Sequence, residues 1–205
     1  MVVRRQDPIG AITYRCAQVG DAALLVPYMA QIFTESDYLT HGPRDTPFSE
    51  KQLSATISEA AQAANQLMLL AIEDEGVIGL LRFRGGSTRR TRHTGEVGIT
   101  VGRARWGRGV ATGLLTRCLD WASQNGVIRQ INLRVRPDNQ RALALYRRHG
   151  FAVTGRMDRE LCIEGRYYDH LIMGLSIEPP HRASIIEAGK SAAMPQRITP
   201  QQTGS

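Results

Sequence analysis

The feature that most constrains the fold of this chain is a strand-like segment joined to a helix through two closely spaced glycines. The segment GEVGITV, residues 95–101, alternates side chains between two faces, as a β-strand does. After it comes RWGRGVATGLL, residues 105–115, where apolar residues begin to recur at helical spacing. The pattern predicts a strand, a glycine turn and a helix with one buried face.

The first turn of that predicted helix lacks the usual capping groups. Four N–H groups at a helix start have no partner within the helix, and a Ser, Thr, Asp or Asn commonly caps them. No acidic residue occurs between Glu96 and Asp120, and the missing Cβ atoms of Gly107 and Gly109 let an anion approach the backbone. Three interpretations stay open at this point: a loose basic turn, a nucleotide site, or a site for the pyrophosphate of an acyl-CoA.

Two nucleotide-binding patterns do not fit this segment. A P-loop needs a lysine followed by Ser or Thr after its glycines, whereas Ala111 and Thr112 follow here with no lysine near. A dinucleotide-binding fold needs a third glycine within an early βαβ unit. The glycine pair instead lies in the middle of the chain, after several segments that read as antiparallel strands.

Length and composition predict one domain. The 205 residues are 42% hydrophobic, which suffices for a single ordinary core. We expect a short lead over residues 1–10, the domain over 11–177, and a mobile polar tail over 178–205. The three cysteines form no disulfide or metal pattern, and the sequence has no signal peptide and no apolar run long enough for a membrane span. A cytoplasmic protein without membrane contact is therefore expected.

Hydrophobic periodicity gives an order of mixed strands and helices. A helix is predicted over DNQRALALYRRHGF, where Asn139 is placed to cap it and Gly150 to end it. Turn signals at 74–76 and at Glu164–Gly165 predict two hairpins. The predicted strands are AITYR, QLMLLAIED, GVIGLLRFRGG, GEVGITV, RQINLRV, TGRMDRELCIE and GRYYDHLIMGL. The fold class is therefore mixed α/β.

Three separated motifs resemble one known family. GEVGITVGRARWGRGVATGLL, NLRVRPDNQRALALYRRHGF and EGRYYDHLIMGL together are similar to the GCN5-related N-acetyltransferases (GNAT), and to a bacterial group of ribosomal-protein and polyamine acetyltransferases within them. The resemblance covers about residues 11–176. It implies a mixed, largely antiparallel sheet flanked by helices, which splays between the strands at 96–101 and 129–135, with acetyl-CoA lying in the gap.

The resemblance also implies which residues hold the cofactor. The family's pyrophosphate motif, Gln or Arg, two residues, Gly, one residue, then Gly or Ala, falls on WGRGVA, where Trp106 stands at the first position. The backbone of Ile99 and Val101 is expected to pair with the pantetheine arm, and Asn139 and Tyr146 are expected to contact the cofactor. The residues expected at the pyrophosphate are Trp106, Gly107, Arg108, Gly109, Val110, Ala111 and Thr112.

Acetyl transfer to an amine needs a base for the nucleophile and a proton for the departing thiolate. Glu96 is the candidate base, and Tyr146 is the candidate proton donor. On the acceptor side the resemblance implies the segment TESDYLTHGPRDTPF, in which Glu35, Asp37 and Tyr38 are candidate contacts for a cationic amine. Asp169 is a further candidate. His93 and His170 are interpreted as structural or solvated, and no metal is expected.

The leading hypothesis is an acetyl-CoA-dependent N-acetyltransferase that acts on a primary amine of a small molecule or protein, through direct transfer in a ternary complex. A non-catalytic acyl-CoA-binding module and a basic RNA- or ribosome-associated protein stay open as alternatives. The second would use Arg89, Arg90 and Arg92, but the scarcity of lysines argues against a nucleic-acid partner. A homodimer is expected from the habit of the family.

Overall fold

The computed structural model describes residues 12–45 and 48–178. The predicted lead over 1–10 lies outside these residues, as does all of the predicted tail over 178–205 except its first residue. The described residues form seven strands and four α-helices, in the order β1 (Thr13–Cys16), α1 (Ala22–Glu35), α2 (Glu50–Gln62), β2 (Gln66–Glu73), β3 (Gly76–Gly85), β4 (Thr94–Val101), α3 (Val110–Gln124), β5 (Gln130–Val135), α4 (Gln140–Arg148), β6 (Ala152–Ile163) and β7 (Arg166–Ser176).

The strands form one open sheet in the order β1-β2-β3-β4-β5-β7-β6. All neighbouring pairs are antiparallel except β4 and β5, which run parallel. These two strands pair only along their first residues, from Thr94 opposite Gln130 to Glu96 opposite Asn132. Beyond Glu96 they separate, so the predicted splay is confirmed and β4 has an open edge over residues 97–101.

Each face of the sheet carries its own part of the core. Strand side chains alternate between faces, and Leu81, Phe83 and Val97 pack with α3 and α4 on one side. Met68 and Leu80 pack with α1 and α2 on the other. The two helical layers therefore cover opposite faces, and both reach the place where the sheet opens.

Local sequence sets the ends of the elements near this opening. Ser49 accepts a hydrogen bond from the Gln52 N–H at the start of α2, completing a capping box. The predicted hairpin turn at Glu164–Gly165 is present, with φ of 49° and 78° at its two residues. Within the described ranges, no helix is long and apolar enough to span a bilayer.

Candidate active site

A cavity of about 670 Å³ lies where β4 and β5 separate. It has two ends. The glycine end is lined by Gly107, Gly109, Thr112, Asn139 and Tyr146. The aromatic end is lined by Phe33, His41, Phe48, Leu53 and Arg82. Glu96 and the open edge of β4 form the wall between the two ends.

The glycine turn is shaped for a ligand that binds backbone groups. Gly107 and Gly109 both have φ of +79°, a left-handed conformation that favours glycine. A Cβ placed on either residue would meet no atom of the described residues within 4 Å, so the turn faces open space. No side chain of the described residues caps the helix at Gly109, and its first turn has no acidic residue. The N–H groups of Val110, Ala111 and Thr112 thus face the cavity as a site for an anion.

The arginines that flank this turn hold the loop in place. Arg108 forms an ion pair with Glu73 at 2.8 Å, and Arg105 donates a hydrogen bond to the same carboxylate. Burial raises the pKa of Glu73, but the hydrogen bonds from Arg108 and Arg105 outweigh it, so the pKa lies below its ordinary value. Because its guanidinium is turned to Glu73, the expected contribution of Arg108 to cofactor binding is limited to its backbone.

Trp106 has a structural reason to stand where the family motif has Gln or Arg. Its indole N–H donates to the Val101 carbonyl at 2.8 Å, which ties the turn to the end of β4. The guanidinium of Arg141, on α4, lies 4.0 Å from the centre of the indole ring. That of Arg103 lies 5.4 Å away. Trp106 therefore holds a cation at the glycine end through its ring, an arrangement that sequence spacing did not indicate.

The open edge of β4 presents backbone groups to the cavity. Backbone groups of successive strand residues point to opposite edges. Since the Gly102 N–H donates to the Ile78 carbonyl on β3, the groups of Ile99 and Val101 face the gap. The Val101 carbonyl already accepts from Trp106, so Ile99 offers both its N–H and its carbonyl to a ligand chain along this edge, and Val101 offers its N–H.

Helix α4 brings Asn139 and Tyr146 to the glycine end. Asn139 caps the helix by accepting from the Ala142 N–H at 3.2 Å, as its position predicted. Tyr146 is 7% exposed and packs edge-on against Phe151, with ring centres 5.7 Å apart. Burial raises the pKa of Tyr146 to about 12, so its hydroxyl keeps its proton. Within the described ranges, no protein group hydrogen bonds that hydroxyl.

Glu96 lies at the fork of the sheet, where the pairing of β4 with β5 ends. Its carboxylate accepts a hydrogen bond from Arg134 Nε at 2.9 Å. The same guanidinium donates to Glu160 at 2.8 Å. The side chain of Glu96 is about half exposed and lines the cavity. It is therefore oriented by Arg134 and open to a ligand.

The acceptor residues expected from sequence lie in different places. Glu35 accepts from the Arg103 N–H at 2.7 Å, which with Gln31 lowers the pKa of Glu35. Its carboxylate ties the end of α1 to the loop after β4 and is not in the cavity wall. Asp37 contributes its backbone carbonyl to Arg136 at 3.0 Å, and its side chain is likewise absent from the wall.

Asp169 is also engaged elsewhere. It accepts from the Arg159 N–H at 2.8 Å, which lowers its pKa, and pairs with Arg156. Tyr38 does line the cavity, beside the guanidinium of Arg136 at 4.9 Å from its ring. The structure thus brings one of the four expected acceptor residues to the cavity.

Sequence reasoning missed most of the aromatic end. Phe33 and His41 stack with ring centres 5.3 Å apart, and Phe48 packs against both. Arg82 interrupts the apolar run GVIGLLRF on β3, which was a signal for a buried or cavity-facing cation. His170 is 4% exposed and also lines the cavity. Burial lowers the pKa of His170, which favours the neutral ring.

No group of three or more His, Cys, Asp or Glu side chains suited to a metal ion occurs in the part of the chain that the structure describes. The cavity instead combines an anion-binding turn, an open strand edge, a protonated phenol and a carboxylate. That combination suits the transfer of an acyl group from a large anionic carrier.

Comparison with known proteins defines the class. Residues 27–151 match the sequence model of the acetyltransferase (GNAT) family. The chain belongs to this family, and the resemblance found in its motifs is confirmed.

Individual relatives agree with this assignment. The chain is 30% identical over 106 residues to the L-amino acid N-acetyltransferase AaaT of Escherichia coli K12, and the match spans 51% of this chain and 65% of that protein. The structure of a GNAT acetyltransferase from Streptococcus pneumoniae is 29% identical, with a TM-score of 0.79 over 82% of this chain and all of the other. The yncA structure from Salmonella typhimurium, solved with its cofactor acetyl-CoA, shares the fold at 24% identity, with a TM-score of 0.72 over 85% of this chain and 99% of the other.

Proposed function

We propose that this protein is an acetyl-CoA-dependent N-acetyltransferase that transfers the acetyl group directly to a primary amine in a ternary complex. The observation that carries the proposal is the uncapped glycine turn at the fork of the sheet, with the Tyr146 hydroxyl in the same cavity. Family membership supports acetyl transfer. The name of the relative AaaT supports an amine acceptor, and the yncA structure supports acetyl-CoA as the cofactor.

The residues of the glycine end fit this cofactor. Acetyl-CoA supplies the acetyl thioester when bound. The N–H groups at the start of α3 bind the pyrophosphate, since a helix N-terminus carries a partial positive charge. Arg141, held by Trp106, adds a cation beside them. Ile99 and the Val101 N–H would offer backbone groups to the pantetheine arm, and Asn139 would provide a further contact.

Two side chains move the protons. An alkyl ammonium group has a pKa of about 10 and cannot attack until it loses a proton. Glu96, directly or through a water molecule, accepts that proton, and the neutral nitrogen attacks the thioester carbonyl. As the C–S bond breaks, the Tyr146 hydroxyl would donate its proton to the sulfur, and the second proton of the attacking nitrogen would return to Tyr146 directly or through water, so that a neutral amide and a free thiol form. No covalent acyl-enzyme forms.

The test measures free CoA thiol released with a panel of primary amines, after acetyl-CoA binding has been checked by calorimetry. Glu96→Gln is expected to lower kcat about 100-fold, as the loss of a general base does. Glu160→Gln is the matched control, because Glu160 accepts from the same arginine and is expected to change kcat less than about threefold. The proposal would be refuted if acetyl-CoA did not bind, or if no amine of the panel caused release of CoA.

The alternatives predict different results in this assay. A non-catalytic acyl-CoA-binding module binds the cofactor, releases no CoA with any amine and is indifferent to changes at Glu96 and Tyr146. An RNA-associated protein shows RNA binding that falls steeply with salt and weakens when Arg89, Arg90 and Arg92 are neutralised.

We further propose that the enzyme works as a homodimer in the cytoplasm. Resemblance to the family supports the dimer, and size-exclusion chromatography with light scattering tests it. The three free cysteines, of which Cys118 is buried, support a reducing compartment. Fractionation of the cells that produce the protein tests the location.

A further inference from the structure

The wall of the cavity is rich in arginine and poor in carboxylates. Among the described residues, Glu96 is the single acidic side chain in the wall, and Arg134 already pairs with it. The arginines of the wall are Arg82, Arg105, Arg134, Arg136, Arg141 and Arg148. An acceptor with several positive charges, such as a polyamine, finds no array of carboxylates here. The charge of the wall favours an acceptor that carries negative charge in addition to its amine.

Arg82 is the arginine of this wall that belongs to the aromatic end. Arg105, Arg134 and Arg136 each pair with a carboxylate, and Arg141 and Arg148 lie on α4, which also carries Tyr146. Arg82, in contrast, forms no ion pair with any described residue. Its Nε is buried and has no hydrogen-bond partner there.

Arg82 is partly buried, and its Nε–H, which lies away from solvent without an acceptor among the described residues, is costly to the folded protein. Burying a charged donor without an acceptor disfavours folding, and a bound anion removes that cost. The guanidinium fork matches a carboxylate in shape, since two of its N–H groups can donate to the two oxygens. Arg82 thus has a buried donor without a partner among the described residues, its Nε–H, which a carboxylate of a ligand satisfies together with a second N–H of the fork.

The sheet places Arg82 close to the candidate base. Arg82 lies directly opposite Gly98 on β4, so the two residues share one face of the sheet. Glu96 is two residues from Gly98 and lies on the same face, and diagonal neighbours of this kind are about 7–8 Å apart. A Cβ on Gly98 would meet no atom within 4 Å in the part of the chain that the structure describes, so open space separates the cation from the carboxylate.

We propose that the acceptor is an amino acid with a free carboxylate, which Arg82 binds while the α-amino group lies at Glu96. One carbon joins the two groups of an α-amino acid, and the Gly98 gap between Arg82 and Glu96 accommodates that arrangement. The side chain of the acceptor extends into the aromatic end, against Phe33, Phe48 and Leu53. An apolar side chain therefore fits this end. Arg82 is thereby a residue that determines specificity. This inference rests on the proposed acetyl transfer.

Matched amines test the role of the carboxylate. Leucine, methionine and phenylalanine are each compared with their amides, which retain the side chain and the amine but resemble the start of a peptide. Spermidine serves as the polyamine. For at least one of the three pairs, kcat/KM is expected to be at least about tenfold higher for the acid than for its amide. The amino group of the amide is less basic than that of the acid, so a larger fraction of it is neutral and able to attack. Intrinsic reactivity alone would therefore make the amide react faster than the acid.

Substitution of Arg82 tests the residue. Arg82→Met is expected to raise KM for the preferred acid about ten- to hundredfold, to change kcat less than about threefold and to leave the rate with its amide unchanged. Arg82→Lys is expected to restore part of the affinity. Arg89→Met, which removes the same charge from an exposed loop, is expected to behave as the wild type. The variants are shown to fold if their melting temperature and their acetyl-CoA affinity are equal to those of the wild type or higher.

Two results separate the failure of this inference from that of the proposed function. If amines are acetylated but amides or spermidine react as well as the acids, or Arg82→Met slows all amines equally, the carboxylate site is wrong and acetyl transfer stands. If acetyl-CoA binds and no amine of any kind is acetylated, the proposed function fails and this inference fails with it.

Discussion

The two ends of the cavity are built in different ways. The glycine end is made largely of backbone: a left-handed turn, the start of α3 and the open edge of β4. The side chains around it, such as Arg108 and Trp106, are mostly committed to protein partners. The aromatic end is made of side chains, and its one cation, Arg82, has no such partner among the described residues.

This difference assigns different tasks to the two ends. A backbone site recognises groups that every molecule of the carrier has, such as a pyrophosphate and an amide-containing arm, and it needs no particular side chains. A side-chain site changes with each substitution. We therefore expect relatives of this protein to share the glycine end and to differ in the aromatic end, where the acceptor is selected.

The largest effect is expected from Tyr146→Phe, at the glycine end. Loss of the proton donor is expected to lower kcat about 100-fold, while the acetyl-CoA Kd changes less than about twofold. Stability is expected to stay the same, since the hydroxyl has no partner among the described residues and the contact with Phe151 is retained. Turnover with a saturating amine, calorimetry and thermal melting measure these three quantities.

A second buried tyrosine provides the control. The Tyr28 hydroxyl is hydrogen bonded to Thr100 Oγ1 at 3.0 Å, so Tyr28→Phe is expected to lower stability by about 1 kcal/mol and to leave turnover intact. The two variants thus separate proton donation from packing. If Tyr146→Phe retained full turnover, the sulfur would have to receive its proton from another group. The assignment of Tyr146, on α4, as the proton donor would then be wrong.

The sequence predicted the glycine end well, because its parts are local. A strand, a glycine pair and an uncapped helix start lie within about 20 residues, and the first turn of α3 has no acid in the sequence or in the structure. Asn139 was also predicted from its neighbours and does cap α4. Backbone conformation and capping depend on adjacent residues, so such features can be inferred without knowledge of distant contacts.

The aromatic end escaped prediction because its contacts are distant in sequence. Glu35 was expected at the acceptor, but it binds Arg103, 68 residues away. Asp169 is likewise held by Arg156 and Arg159. The order of residues does not show which carboxylates pair with arginines in the folded chain, nor that Arg82 pairs with none of the described ones. A cation inside an apolar strand was the available signal.

A smaller effect is expected from Gly109→Ala, which tests whether the glycine end depends on its backbone. The added Cβ enters the space where the anion approaches, so acetyl-CoA affinity is expected to fall about tenfold. Gly126→Ala is the matched control, since Gly126 also has positive φ, of 74°, and open space around it, and does not line the cavity. Both variants are expected to lose about 1 kcal/mol of stability.

Calorimetry of acetyl-CoA binding and chemical denaturation distinguish the two glycines. Equal losses of affinity in Gly109→Ala and Gly126→Ala would mean that strain, and not blocked access, causes the effect. The idea that the backbone of this turn recognises the cofactor would then be wrong.

The smallest effect is expected from Trp106, where a side chain serves the glycine end indirectly. Trp106→Ala removes the aromatic ring under Arg141 and is expected to weaken acetyl-CoA binding about two- to fivefold, as the loss of an exposed cation–π contact does. Trp106→Phe retains a ring for Arg141 but loses the hydrogen bond to Val101. If Arg141 is what matters, the Phe variant binds as the wild type does, whereas a loss equal to that of the Ala variant assigns the effect to the tie with β4. Calorimetry at low salt and again at raised salt separates the two contributions to binding. Raised salt screens the contribution of Arg141 and leaves that of the neutral hydrogen bond.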